Sequence, residues 1–227
     1  MTYSPLLAII TGILEFAAAL WVLGSPRLGR RRITLPVGLI FLFLAGYQFA
    51  EVAVCAKPEV KLLSALAYFD ITWLPPLGLW LLSELARPKM KWFRVVAVVE
   101  ITLAAALSAW ILSSPSIITR SVCQTVIARY YLTNPFDTLY GVFYQSGLML
   151  LIFGSILGMV STDDRVLRRH WANFQAGLLA FVLPALYIRV LIGNELSLLP
   201  SVMCHFAALL AVSLFFLVLR EKKAYPA

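Results

Sequence analysis

Apolar runs long enough to cross a bilayer recur along this chain and leave little else to fold. A hydrocarbon core about 30 Å thick takes about 20 helical residues. Runs of that size occupy 5–23, 35–55, 62–85, 95–112, 136–160, 171–192 and 198–219. The 227 residues are 61% hydrophobic and only 13% charged, against about a quarter charged in a soluble domain. Seven spans with short links use up the chain, so the sequence predicts a single all-α domain over 1–227. That domain is an integral membrane seven-transmembrane-helix bundle, with the lipid bilayer as its first partner. No room is left for a soluble catalytic or DNA-binding domain. The opening MTYSPLLAII lacks a basic n-region and a cleavage site behind its apolar run, so it reads as a retained first span.

The net charge of +8 matters through its placement. Fourteen Lys and Arg fall at 27, 30, 31, 32, 87, 89, 91, 94, 165, 168, 169, 220, 222 and 223, in alternate links and the C-terminal tail. Four lie on the other side, at 57, 61, 120 and 129, and Arg189 falls inside a span. Basic residues stay cytoplasmic, so the N-terminus is expected outside and the C-terminus in the cytoplasm. No nucleic-acid partner is expected. Trp21, Trp92 and Trp171 fall at the expected cytoplasmic boundary, where interfacial aromatics gather.

Polar residues inside apolar runs mark the candidate site. Gln48 and Glu51 lie three apart on one face of span two, and Asp70 lies in span three. At about 1.5 Å per residue from the outer ends, Glu51 and Arg189 come to roughly 5–8 Å depth, and Asp70 and His205 to roughly 10–13 Å. Tyr144 and Gln145 fall at comparable depth in span five. An ionisable group facing lipid is costly, so these side chains are expected to face the bundle interior or a watery cavity. Two arrangements satisfy that demand: a closed ion pair of Glu51 or Asp70 with Arg189, or an outward pocket of Gln48, Glu51, Asp70, Tyr144, Gln145, Arg189 and His205. Glu15 and Glu100, nearer mid-membrane, are expected to hydrogen-bond neighbouring helices, and Glu84 to sit at the interface beside Arg87 or Lys89.

Pro75-Pro76 breaks the third run. Two missing N–H donors free carbonyls on the preceding turn, giving either a static kink or a hinge and carbonyl-lined site. The three cysteines, Cys55, Cys123 and Cys204, all fall on the expected outer side. Cys55 and Cys123 either join in a disulfide or remain packed thiols. Three cysteines and two histidines form no metal motif of recognised spacing, and no pattern names a cofactor.

The runs LPVGLIFLFLAGYQFAEVAV, AYFDITWLPPLGLWLLSEL and SVMCHFAALLAV resemble an uncharacterised prokaryotic multispanning membrane family, a domain of unknown function. The resemblance covers about a third of the chain. Met203 and His205 stand where that family has aromatic residues, and its Cys-Phe-Ser opening is absent. It implies a prokaryotic cytoplasmic membrane location and weight on Gln48 and Glu51, but no activity. A more distant likeness is to the seven-span sensor region of bacterial histidine kinases.

Three functions follow as expectations. The first is a solute or ion transporter or channel using the polar layer. The second is a sensor or receptor module signalling through a separate partner. The third is an intramembrane enzyme using Asp70, Glu51 and His205, which no nucleophile–base or metal-binding motif in the chain supports.

Overall fold

Away from water, backbone groups must be satisfied within the segment, and each apolar run accordingly becomes helical. The computed structural model describes residues 5–25, 29–86, 90–123, 128–192 and 199–224, the side chains of 185, 188–192 and 199–205 excepted. The helices are α1 (Leu6–Gly24), α2 (Arg31–Ala56), α3 (Lys61–Thr72), α4 (Leu74–Leu85), α5 (Trp92–Ser113), α6 (Phe136–Ser161), α7 (Arg165–Ile192) and α8 (Leu199–Ala224). Among the described residues, α1, α2, the α3–α4 rod, α5 and α6 are long and apolar enough to cross a membrane.

Several helices outrun the apolar stretches that announced them. The second begins at Arg31 rather than 35, the seventh at Arg165 rather than 171, and the last continues to Ala224. Hydropathy falls where Lys and Arg enter, but the backbone need not stop, because their stems lie along apolar surface while the heads reach out. Local bonds fix the new ends. The Asp164 carboxylate accepts from the backbone N–H of Val166 at 2.8 Å, starting α7. The Arg31 guanidinium donates to the Leu23 carbonyl at 2.9 Å, satisfying the last turn of α1.

The third run is interrupted at Trp73, which separates α3 from α4. Pro75 and Pro76 sit in the first turn of α4, where their missing N–H groups would have had no intrahelical partner from a fresh start. The carbonyls of Ile71 and Thr72 thereby lose their i+4 donors. From Leu74 to Leu85 only Trp80 is not buried, and α4 packs on α2, α5, α6 and α7. A second centre is α2, which packs on α1, α3, α4 and α8.

Trp171, expected near the cytoplasmic boundary, is buried at 1% exposure. Its ring lies over Gly158 so closely that a Cβ there would come within 2.5 Å, letting α6 and α7 approach as small residues do in membrane bundles.

The segment between α5 and α6 is folded. A 3-10 turn at Pro115–Ile117 leads into strand β1 (Ile118–Cys123), which pairs antiparallel with β2 (Ala128–Leu132). This hairpin caps one end of the bundle. The Ser121 and Ser64 hydroxyls are 2.8 Å apart, joining β1 to α3. Cys123 forms a disulfide with Cys55 in the last turn of α2, with Cα atoms 5.6 Å apart. Of the two states open to these cysteines, the structure has the bonded one.

Candidate functional site

Gln48 and Glu51 lie inside the bundle, at 2% and 0% exposure, with Tyr47 beside them at 0%. The Gln48 stem runs against α1, where a Cβ on Gly12 would stand 3.1 Å from Gln48 Cβ. The apolar run of α2 therefore carries an amide and a carboxylate into the packed interior. Arg189 and His205 belong to α7 and α8, but their side chains lie outside the described residues.

Asp70 takes a different position. It lies in the last turn of α3, half-buried, with its carboxyl laid on the backbone of α2 at Gly46. A Cβ at Gly46 would meet Asp70 Oδ2 at 2.8 Å. Only glycine leaves that notch. An aromatic triangle stands alongside, with Phe43 5.9 Å from Phe69 and 6.1 Å from Trp73 between ring centroids. At about 100° per residue, Gly46 and Gln48 point about 200° apart on α2. Asp70 and Gln48 thus meet nearly opposite sides of the same helix rather than facing one another.

Tyr144 joins a cluster that sequence reasoning did not assemble. It stacks on Tyr140 at 5.9 Å, and Tyr140 meets Tyr68 edge-on at 5.1 Å. Tyr68 in turn meets Tyr130 of β2 at 5.4 Å. Thr72 bonds the Tyr68 carbonyl and lies 3.5 Å from the Tyr140 hydroxyl. Three elements, α3, α6 and the hairpin, converge on these rings. The i, i+4 spacings Tyr68/Thr72 and Tyr140/Tyr144 were the available signal. Gln145, half-buried on α6, has no described bond to this cluster.

The deeper carboxylates differ from expectation. Both oxygens of Glu15 and one oxygen of Glu100 are buried without a hydrogen-bond partner among the described residues, where bonds to neighbouring helices were expected. Glu100 Oε2 lies 3.6 Å from the Cβ position of Gly147, which is also pressed by Pro75. It therefore borders the start of α4, where proline has removed two donors. Glu84 is buried at 6% exposure, because α4 is enclosed along nearly its whole length.

A buried charge cluster at the other end of the bundle also escaped the sequence reading. The Arg30 side chain donates to Glu221 Oε1 at 2.6 Å and Oε2 at 3.1 Å, and its backbone N–H donates to Oε1 at 3.3 Å. His170 Nε2 lies 3.7 Å from Glu221 Oε2. Glu221 and His170 are each 0% exposed. Gly29 admits the contact by adopting φ +98°, and a Cβ there would stand 2.7 Å from Glu221 Cγ. His170, next to the stretch 171–192 read as membrane-spanning, is held below its ordinary pKa chiefly by burial. Glu221 and Asp164 oppose that shift, and Arg30 and Arg220 add to it.

Among the described residues, no three His, Cys, Asp or Glu side chains gather as a metal site would require. Comparison with protein-family models and with curated protein sequences found no match.

Proposed function

We propose that the chain spans a prokaryotic cytoplasmic membrane seven times, N-terminus outside, and moves a small solute or ion through a polar layer reached from the hairpin end. The observation that carries this reading is the discontinuous third span. Transporters build binding sites where a helix breaks inside the bilayer, because unwound carbonyls and helix ends there can coordinate a ligand. Here α3 stops at Thr72, α4 begins at Leu74, and Asp70 lies half-buried in the turn before the break. The Ile71 and Thr72 carbonyls offer further oxygens. On this reading, Gln48 and Glu51 form an interior part of the path and Asp70 the part nearest the break, with Tyr144 and Gln145 as further lining. Orientation is supported by the Cys55–Cys123 disulfide, which suits an oxidising exterior and lies opposite the fourteen basic residues.

Purified protein in proteoliposomes tests the proposal against gradients of protons, alkali cations and small polar solutes. Transport predicts a flux that Asp70→Asn or Glu51→Gln lowers at least about tenfold while thermal melting stays close to wild type. If vesicles holding the protein retain every gradient as well as empty vesicles, transport is the wrong reading. The ordered hairpin cap, fixed to α2 and packed on α3, favours a sensor with a separate signalling partner as the second reading. A solute that raises the melting temperature without crossing the membrane would favour it.

A further inference from the structure

A groove of about 680 Å³ runs along the side of the bundle between α1, α2 and α8. Its walls include Ala18, Trp21, Val212 and Phe215, and the Trp21 and Phe215 rings stand 5.1 Å apart. Val212 is 52% exposed on the groove rim. The groove therefore opens sideways, toward the surface that a bilayer would cover, and its size suits a small amphipathic molecule.

One side chain does not belong in such a wall. Glu15 lines the groove at 2% exposure, and neither carboxyl oxygen has a hydrogen-bond partner among the described residues. It sits midway along α1, about 14 Å from either end at 1.5 Å per residue. Thr11, one turn away, gives its hydroxyl to the Leu7 carbonyl at 2.8 Å. Among the described residues, no basic side chain lines the groove. A carboxylate among carbon atoms is costly unless a partner brings charge and N–H donors. Among the described residues nothing in the groove supplies that partner, and the bilayer can.

We propose that this groove is a membrane-accessible binding site for a lipid-soluble amine, with its protonated nitrogen on Glu15 and its hydrocarbon body between α1 and α8. The ammonium supplies the donors that both carboxyl oxygens lack. The Trp21 and Phe215 rings supply apolar wall for the hydrocarbon body. An anionic lipid headgroup is disfavoured by the same carboxylate. A plain acyl chain would fill the walls but leave Glu15 unmatched. The proposal does not depend on a transport role.

Trp21 lies in the wall and reports occupancy. The full chain in phosphatidylcholine nanodiscs is titrated with a brominated long-chain alkylamine and, in parallel, with the brominated alcohol of the same chain. The amine is expected to quench Trp21 emission saturably, and Trp21→Phe to remove that component. Glu15→Gln, nearly the same size, is expected to weaken the amine at least tenfold and leave the alcohol unchanged. Ala18→Phe, which fills the groove and keeps Glu15, is expected to abolish saturable quenching. Equal affinity for amine and alcohol, or an amine affinity indifferent to Glu15→Gln, would overturn the proposal and leave a groove for acyl chains only. Should Glu15→Gln fail to fold, the amine–alcohol difference in the wild-type protein and the Ala18→Phe variant decide the question.

Discussion

The two ends of the bundle are closed by different chemistry. At the hairpin end, β1 is bonded covalently to α2 through Cys55–Cys123, and β2 sets Tyr130 against Tyr68. At the basic end, Arg30, His170 and Glu221 draw together the start of α2, the start of α7 and the end of α8. The first closure is a cross-link and ring contacts, insensitive to pH in the neutral range. The second is a charge cluster containing a histidine, so its strength depends on proton concentration. A basic end rich in Lys and Arg can hold one buried carboxylate at the centre of its charge. An end with few basic residues relies on covalent and aromatic contacts.

The largest expected effect comes from breaking the basic end. Glu221→Ala leaves Arg30 without its carboxylate, and is expected to cost about 3 kcal/mol. Thermal unfolding in detergent reads this directly, and an unchanged melting temperature would mean the cluster does not hold that end. Opening the hairpin end is expected to cost somewhat less. The disulfide joins residues 68 apart, for which chain entropy sets a ceiling of about 4 kcal/mol. Helices that stay inserted when unfolded lower the figure, to about 2 kcal/mol. The Cys55→Ser, Cys123→Ser double variant should melt earlier than wild type. Reductant should lower the wild-type melt and leave the double variant where it is.

The smallest effect separates the ends by pH. Burial lowers the folded-state pKa of His170 from the ordinary 6.5, so the unfolded chain binds more protons as pH drops below that value. Stability is then fully present above pH 6.5 and is lost as pH falls toward the folded pKa. His170→Gln should flatten this slope. Melting curves across a pH series test it, and equal slopes in variant and wild type would place the proton elsewhere.

Legibility in the sequence followed how strongly a feature departs from its surroundings. The helices were legible because apolar runs of such length have few other fates. Their ends were not, because Arg31 and Arg165 lower hydropathy without stopping a helix. Gln48 and Glu51 stood out as polar residues in an apolar run, and both are buried. That Asp70 meets α2 on nearly the opposite side from Gln48 depends on helix rotation, which depth counting ignores. Glu221 could not be singled out, since between Arg220 and Lys222 it reads as part of a solvated tail. The hairpin was hidden because ITRSVC and ARYYL alternate too weakly to announce strands.

The notch at Gly46 has a mechanical consequence. With its carboxyl seated against bare backbone, Asp70 indexes α3 to α2 like a key in a slot: turning α3 about its axis would first require withdrawing the key. Past Trp73 that constraint weakens, because the missing bonds at Pro75 and Pro76 leave a joint with low resistance to bending. The α3 half of the third span is thus held in register by the key, and the α4 half by its burial against α2, α5, α6 and α7. Rotation of the helix that carries Asp70 is therefore the movement this notch resists most.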